Sequence, residues 1–343
     1  MRGSPALRFF SDNTATACPE ILAAIAQANA GLFKAYGDDP WTERLDRAFS
    51  DFFATEVRAF AVATGTAANS LALATLSPPY GEIFAHEEAH IAVDECGAPG
   101  FFSGGAQLRL LTGEHGRVTP EALRVALDAH PVTVHNVQPS ALSLTQATEL
   151  GTVYRPADVA RLCELAHGRG LGVHMDGARF ANALAHLGCH AGDITWRAGI
   201  DVLSFGATKN GALTAEAVVF FNPKRVADFE LRRKRAGHLL SKSRYVAAQL
   251  LAYLGSGLWK RNAERTNLLA QSIGRAAGAA LLHPVEANEV FVRLGVERRA
   301  ALRGAGFEFY DWGAESAGEA RFVVSWDQPP EDVPALCAAL ARL

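Results

Sequence analysis

The chain has 343 residues, of which 49% are hydrophobic and 20% are charged, and its formal net charge is −3. This composition is typical of a globular protein with a substantial core, and the length predicts one large domain with a smaller one appended. The balanced charge excludes a general attraction to nucleic acid or to an anionic membrane. The basic cluster at 231–237 is more typical of a solvated helix face or an anion contact than of a nucleic-acid surface.

Cysteine usage and the opening stretch bear on location. The 5 cysteines are scattered and form no C-x-x-C pair, which favours a reducing, cytoplasmic environment. The opening MRGSPALRFFSDN has neither the apolar segment nor the cleavage-type ending of a signal peptide, and no stretch approaches the roughly 18 apolar residues of a membrane span. We therefore expect neither a membrane nor a nucleic-acid partner.

Short apolar segments alternate with helical patterns from residue 58 onward. Helix signals are clear at 119–130 and 155–170, which each have a proline at the first helical position. Such alternation predicts a mainly parallel sheet with helices on both faces. The expected strands are 58–62, 82–85, 107–111, 132–137, 141–144, 172–175, 202–205 and 217–221.

The pattern changes in the last third of the chain. A helical region extends to about residue 280, and strand-like segments follow at 290–294, 306–312 and 321–326 before a closing helix. We expect this tail to form a small α+β domain. The predicted domains are 1–254, a large domain that includes the N-terminal segment 1–20, and 255–343.

Ligands of an open parallel sheet bind beyond the carboxyl ends of its strands, so the residues after each strand are the candidates for a site. Segment 64–69, TGTAAN, follows the first strand and opens a helix. Its backbone N–H groups at Gly65 and Thr66 would favour a phosphate. By itself such a turn is more often an ordinary strand-to-helix connection, and neither a G-x-G-x-x-G nor a Walker motif is present.

His86 and His90 follow the strand at 82–85. The letters match H-E-x-x-H, but the segment follows a strand directly and no third ligand is evident, so we expect no metal. An imidazole lying flat on a cofactor ring is the better functional interpretation for one of the two. A surface helix is the alternative.

Asp176 and Arg179 follow the strand at 172–175, and Lys209 follows the strand at 202–205. Asp176 and Arg179 could be a simple ion pair, but their position at a strand end favours a site. Small residues leave space beside the Lys209 amine, as a nucleophile requires. A phosphate-binding turn, a carboxylate for a pyridinium nitrogen and a lysine for a Schiff base are the parts that pyridoxal 5′-phosphate needs.

Eight segments then carry a family resemblance: FFSDNTAT, YGDDPWTERLDRAF, ATGTAAN, AHIAVDECGAP, TQATELGTVY, HMDGARFANAL, SFGATKNGA and RFVVSW. In order and spacing the chain resembles the threonine aldolase and beta-eliminating lyase family of pyridoxal phosphate enzymes, in a phenylserine-aldolase-like branch. The resemblance implies an α/β, aspartate-aminotransferase-like (fold type I) architecture with a three-layer large domain. It also implies a homodimer or homotetramer with sites at the subunit interface.

The resemblance implies roles for the cofactor site. Lys209 forms the Schiff base, Asp176 pairs with the pyridine nitrogen, and His90 stacks on the ring and assists proton transfer. The residues implied to contact the cofactor are Gly65, Thr66, His90, Asp176, Arg179, Ser204 or Thr208, and Lys209.

The resemblance also implies a substrate site. Ser11, Arg179 and Arg321 receive the amino-acid carboxylate, which two guanidinium groups suit better than lysines would. Tyr36 and Arg235 belong to a neighbouring subunit's contribution.

The chain departs from the family at 145–149, where TQATE replaces E-N-T-H-N and a second active-site histidine is missing. His135 or a bound water could stand in for it, which leaves the base for the β-hydroxyl open. Trp41, where the family has a smaller residue, could reshape the pocket for bulky side chains.

The resulting expectation is an aldolase that cleaves L-threonine, L-allo-threonine or a related substrate such as phenylserine to glycine and an aldehyde. A beta-eliminating lyase of an aromatic or sulfur-containing amino acid is the alternative enzyme. A binding module without turnover and a scaffold without cofactor are further alternatives, because a fold alone never determines function. Lys209, Asp176, Arg179 and Arg321 together argue against the binding module, since a mere binder has little need for the lysine.

Overall fold

The computed structural model describes residues 7–131, 133–223, 226 and 228–342. Its strands are β1 (Leu7–Arg8), β2 (Arg58–Val62), β3 (Gly81–His86), β4 (Gln107–Leu111), β5 (Gln138–Thr145), β6 (Gly172–Gly177), β7 (Val202–Gly206), β8 (Glu216–Phe220), β9 (Glu289–Arg293), β10 (Phe307–Glu308), β11 (Tyr310–Trp312) and β12 (Glu319–Val323). Its helices are α1 (Pro19–Ala28), α2 (Leu45–Phe53), α3 (Gly65–Leu76), α4 (His90–Val93), α5 (Ala98–Ser103), α6 (Pro120–Asp128), α7 (Pro156–Gly168), α8 (Phe180–Leu187), α9 (Phe229–Arg235), α10 (Arg244–Gly255), α11 (Leu258–Ala277), α12 (Val296–Gly304) and α13 (Asp332–Leu340). No helix in these ranges combines the length and the apolar character that a membrane span needs.

The central sheet has seven strands in the order β2-β8-β7-β6-β5-β3-β4. Strands β4, β3, β5, β6 and β7 run parallel, whereas β8 is antiparallel to both of its neighbours. The exception arises because the segment between β7 and β8 can reverse the chain but is too short for a crossover helix. The predicted, mainly parallel sheet is confirmed.

Alternate residues of each strand face opposite layers of helices. In β3, Phe84 packs into a core that also contains Phe49 of α2, while Ile83 and Ala85 pack into a second core with Leu71 of α3. Burial on both faces explains why the strands appear in the sequence as continuous apolar runs. The predicted three-layer architecture is therefore confirmed.

The strand predicted at 132–137 is wrong. Val132 lies outside the described residues, and the residues after it form an exposed turn before β5 begins at Gln138. In this turn the Thr133 hydroxyl donates to Asn136 Oδ1 at 2.7 Å and accepts the His135 N–H at 3.3 Å. Such local side-chain hydrogen bonds compete with strand pairing and outweigh the β-propensity of the segment.

A second sheet, in the order β11-β12-β9, is antiparallel and packs with α11 and α13 around Ile273, Phe322 and Leu336. Strand β1 pairs with β10, and Phe9 is buried in this same core. The first described residues therefore pack with the C-terminal part of the chain, although the sequence predicted segment 1–20 in the large domain, and residues 1–6 lie outside the description. The boundary predicted between 254 and 255 falls at the end of α10 and stays a prediction.

Candidate active site

A cavity of about 360 Å³ opens at the edge of the central sheet where β5, β6 and β7 end. It brings together the residues that the resemblance implied for cofactor contact: Gly65, Thr66, His90, Asp176, Arg179, Ser204, Thr208 and Lys209. It is also lined by polar residues without a predicted role: Asn13, Asn69, Glu95, Thr145, Glu149 and Glu216. The roles of these residues stay predictions, whereas their convergence is a property of the fold.

Helix α3 begins at the cavity wall. Its cap, Thr64, accepts the Ala67 N–H through Oγ1 at 3.2 Å and the Ala68 N–H through its carbonyl at 3.1 Å. The first N–H groups of a helix have no intrahelical partner, so those of Gly65 and Thr66 are available to an anion. A Cβ at Gly65 would meet no atom within 4 Å, so there is room for a ligand beside the backbone.

Asp176, at the end of β6, is held in a network of buried polar groups. Its Oδ1 accepts the Ala178 N–H at 2.9 Å and its Oδ2 accepts the Asn69 side-chain amide at 2.7 Å. The same amide nitrogen donates to Glu95 Oε1 at 2.8 Å, and that oxygen lies 2.9 Å from His90 Nδ1. The network links the imidazole predicted to stack on the cofactor with the carboxylate predicted to pair with its ring nitrogen.

The histidines at and after the end of β3 differ in their surroundings. The hydrogen bond that the Glu95 carboxylate accepts from His90 outweighs the effect of burial and raises the pKa of His90. His86 instead has Nε2 3.0 Å from the Gly113 carbonyl and Nδ1 accepting the Glu88 N–H, which indicates a structural role. Across the described ranges, no group of three or more His, Cys, Asp and Glu side chains could hold a metal ion.

Lys209 lies in a short turn after β7, and the next residue, Asn210, is buried and hydrogen-bonded to α10 and α11. The ends of β6 and β7 approach closely at Gly206, where a Cβ would lie 2.7 Å from the Ala178 carbonyl oxygen. Only glycine permits this approach without displacement of the backbone. The lysine and Asp176 consequently line the same cavity.

Ser204, predicted to assist with the phosphate, lies beside Asp176 in the register of β6 and β7. Its hydroxyl is 2.9 Å from His174 Nε2, and His174 Nδ1 is 2.9 Å from the Ser143 hydroxyl. Burial lowers the pKa of His174 to about 4, so this histidine is neutral near pH 7. The three residues form an uncharged hydrogen-bonded row beneath the cavity.

Arg179, which the resemblance implied as a ligand of the substrate carboxylate, already binds a carboxylate of the protein. Its Nε and Nη2 donate to the two carboxylate oxygens of Asp12 at 2.8 and 2.9 Å. Burial favours the neutral form of Asp12, but the charges of Arg179 and Lys209 and the hydrogen bonds from Arg179 and Asn288 together outweigh it and lower the Asp12 pKa to about 2. Ser11 caps the adjacent turn by accepting the Asn13 N–H, and Asn13 rather than Ser11 lines the cavity.

Arg321 lies on β12 next to this ion pair. Its Nη1 is 3.9 Å from Glu289 Oε1, and the same oxygen is 3.3 Å from Arg179 Nη2. Its Nε is buried and has no hydrogen-bond partner among the described residues. The two arginines thus converge on one buried glutamate, and Arg179 lines the cavity whereas Arg321 lies behind its lining residues. Their binding of a substrate carboxylate stays a prediction.

Four further residues named from the sequence lie away from the cavity. Tyr36 is exposed beneath the Lys234 ammonium group, and Arg235 lines a separate small cavity. Trp41 packs edge-to-face on another aromatic ring with centroids 4.9 Å apart, so within one subunit it does not reshape the site. His135 lies in the exposed turn at the opposite end of β5, which excludes it as the stand-in base within one subunit.

The unpredicted residues Asn69, Glu95 and Glu149 each occur in segments already singled out from the sequence, namely TGTAAN, HEEAHIAVDECGA and TQATE. Sequence reasoning gave these three residues no role, because their role depends on burial. Their burial is produced by distant parts of the chain. Glu216 comes directly before the apolar run 217–221. In a parallel strand this position would lie at the edge of the sheet opposite the site. The antiparallel direction of β8 places it at the site.

A helix N-terminus with free N–H groups, a carboxylate and a lysine at the carboxyl edge of this sheet are the arrangement of a fold-type-I pyridoxal phosphate enzyme. Residues 8–297 match the beta-eliminating lyase family model, and the chain belongs to this family. The low specificity L-threonine aldolase of Pseudomonas aeruginosa is 46% identical over 331 residues, covering 95% of this chain and 94% of that protein. That of Pseudomonas sp. is 44% identical over 336 residues, covering 96% of each.

Solved structures agree on the fold. The structure of Leishmania major threonine aldolase aligns with a TM-score of 0.91 at 23% identity and covers 98% of both chains. A serine palmitoyltransferase from S. paucimobilis, solved with a bound PLP–myriocin aldimine, aligns with a TM-score of 0.72 at 20% identity, covering 99% of this chain and 88% of that one. At these identities the likeness shows the aspartate-aminotransferase-like fold, which confirms the predicted fold class.

Proposed function

We propose that this chain is a pyridoxal 5′-phosphate-dependent carbon–carbon lyase that cleaves β-hydroxy-α-amino acids to glycine and an aldehyde. L-Threonine, L-allo-threonine and phenylserine are the expected substrates. The observation that carries the proposal is that Lys209, Asp176 and the N-terminus of α3 line one cavity. The two Pseudomonas relatives, named as low specificity L-threonine aldolases, support the choice of reaction.

The residues present fit the cofactor. The free N–H groups of Gly65 and Thr66 suit its phosphate, and Lys209 is the group for covalent attachment. Asp176, already oriented by Asn69, is positioned to keep a pyridine nitrogen protonated. When bound, pyridoxal phosphate supplies an electron sink for the carbanion that forms at Cα.

The arginines and the cavity walls orient the substrate. Arg321, with its free Nε, and the Nη1 of Arg179 are the donors left for a carboxylate after Asp12 has taken the other nitrogens of Arg179. Fixing the carboxylate fixes which bond of Cα stands perpendicular to the cofactor ring, and this orientation selects the bond that breaks.

The test is a product screen of the purified protein with added pyridoxal phosphate. Threonine, allo-threonine and phenylserine of both configurations are supplied, with cysteine, tyrosine and tryptophan as substrates for beta-elimination, and glycine, aldehyde, 2-oxo acid and ammonia are measured. Glycine and aldehyde in equal amounts are expected from the first group. A 2-oxo acid with ammonia would instead support beta-elimination, the second candidate, which the description of the family favours. Absence of both product pairs would refute the proposal.

We further infer a homodimer or homotetramer with sites at subunit interfaces. Leu213 lines the cavity yet is 55% exposed, and the exposed Tyr36 lies apart from it, as residues that meet another subunit would. Sedimentation analysis measures the number of subunits in the assembly.

A cytoplasmic location also stays a proposal, supported by the free thiols of all five cysteines.

A further inference from the structure

The base that acts on the β-hydroxyl group is not identified by any residue that the family pattern supplies. Aldol cleavage needs this base, because the hydroxyl proton must leave as the Cα–Cβ bond breaks. In this chain the corresponding segment reads TQATE, and it lines the cavity through Thr145, Ala147 and Glu149. Among the three, only Glu149 carries a group that can accept a proton near neutral pH.

One carboxylate oxygen of Glu149 accepts a hydrogen bond, and the other accepts none from the described residues. Its Oε1 accepts the backbone N–H of His90 at 2.8 Å. Its Oε2 is buried and has no hydrogen-bond partner in the described part of the chain. Burying a polar atom without a partner is unfavourable, so the arrangement is explained best by a ligand that supplies the missing hydrogen bond.

The contact with His90 also locates Glu149 relative to the cofactor site. The backbone of His90 holds the carboxyl group, while the side chain of His90 joins the Glu95 and Asn69 network that ends on Asp176. Glu149 therefore lies beside the residue implied to stack on the cofactor. This is the region where the side chain of a bound amino acid would project.

His90 itself is poorly suited to be this base. Its Nδ1 is committed to the buried carboxylate of Glu95 at 2.9 Å. That hydrogen bond raises the pKa of His90 because the carboxylate favours the protonated imidazole. A protonated imidazole can donate a proton but cannot accept one.

The groups around Glu149 include Asp176, Arg179, Tyr154, the Thr145 hydroxyl and the backbone N–H of His90. Burial, followed by the charge of Asp176, raises the pKa of Glu149 to about 7. A base whose pKa lies near the working pH is both available in its ionised form and strong enough to accept the proton.

The geometry points to Glu149 as the base that takes the proton from the substrate β-hydroxyl group, an assignment that rests on the aldolase function proposed above. The Glu149 carboxylate accepts the hydroxyl proton, and the hydroxyl oxygen forms the carbonyl bond of the departing aldehyde. The Cα–Cβ bond breaks, and its electron pair remains at Cα. A proton returned to Cα completes glycine, so the hydroxyl proton is balanced by the one taken up at Cα.

Glu149→Gln tests the removal of the β-hydroxyl proton separately from the proton exchange at Cα. Glutamine retains the shape and an oxygen that accepts the His90 N–H, but it cannot take up the proton. Glycine release from threonine is expected to fall about 10²- to 10⁴-fold. Exchange of the glycine Cα hydrogen in D₂O, which involves no β-hydroxyl group, is expected to remain within about threefold of the unmodified protein, since it does not use this base.

The control is Glu87→Gln, the same chemical change at an exposed carboxylate on the segment after β3, and it is expected to leave both rates unchanged. Glu149→Gln that releases glycine at near-normal rate overturns the proposal. So does a variant that loses release and exchange equally, because this would indicate a purely structural role. Glu149→Asp retains an acid and is expected to slow release more than exchange; an equal loss of both would count against the assignment.

Two further readouts do not depend on turnover. In a Glu216→Gln background, which removes the other buried carboxyl group with a pKa of about 7, the infrared carboxyl band of the cofactor-free protein should show a group titrating near neutral pH, and Glu149→Gln should abolish it. Persistence of that band overturns the proposal. Cofactor absorbance should be retained in the variant, and its loss would indicate a structural role instead. If the unmodified protein releases no glycine from any substrate, the aldolase function fails. This result is distinguishable from failure of Glu149 alone.

Discussion

Arg179 and Asp12 form a bidentate salt bridge at the edge of the cavity, with Nε–Oδ2 and Nη2–Oδ1 distances of 2.8 and 2.9 Å. Both side chains are almost fully buried. A buried charge pair of this geometry fixes the orientation of the guanidinium group. It therefore ties the N-terminal segment to the segment that follows β6 and leaves Arg179 Nη1 and Arg321 Nε as the donors proposed for a substrate carboxylate.

Arg321→Ala should lower kcat/KM for threonine about 10- to 100-fold, the loss expected for removing a charge-assisted hydrogen bond. Both a higher KM and a lower kcat are expected, since the contact positions the scissile bond as well as binding the substrate. Steady-state kinetics measure both terms. Arg293→Ala, on the neighbouring strand with its charge paired to Glu319, is the matched control and should be near normal. Identical kinetics in the two variants would move the carboxylate site elsewhere.

Lys209→Ala should abolish both turnover and the yellow absorbance of the protein incubated with pyridoxal phosphate. The reason is that the lysine is the group proposed for covalent attachment of the cofactor. Absorbance spectra of the dialysed protein and the glycine assay check the two effects. The control is Lys260→Ala, whose side chain is 60% exposed on α11, and it should retain both. Normal turnover in Lys209→Ala would defeat the assignment.

Glu216→Gln should stabilise the cofactor-free protein at alkaline pH. Burial, opposed by Thr208 and Lys209 and reinforced by Asp176, raises the Glu216 pKa from 4.5 to about 7. Between these values the unfolded chain has released the proton that the folded protein still holds, so stability falls as pH rises and the loss is complete above about pH 7. The full effect is on the order of 3 kcal/mol.

Glutamine at this position has no proton to lose. The gain in Tm from Glu216→Gln should therefore be larger at about pH 8 than at about pH 5. Thermal unfolding at both pH values measures the difference, with the same substitution at the exposed Glu87 as the control. An equal gain at both pH values would mean that the carboxyl group titrates normally in the folded protein.

Local patterns were sufficient to predict the architecture and the position of the main chemical groups. Asp176 and Lys209 each follow a continuous apolar run, and such runs are strands buried on both faces. Because parallel strands end at a common edge, the sequence predicted that these groups would meet there. The prediction of a strand at 132–137 is wrong for a reason that is also local, since Thr133 forms hydrogen bonds within its own turn.

Sequence by itself therefore determined the order of strands and helices, the family, and the convergence of Gly65, Asp176 and Lys209. Tertiary structure alone decided which polar groups are buried and paired. Asp12 reaches Arg179, Asn69 reaches Asp176, and Glu149 retains an oxygen without a partner. The physical reason is that apolar periodicity reports the local environment of a segment, whereas hydrogen bonds and pKa values in a buried site depend on side chains brought together from distant positions in the chain.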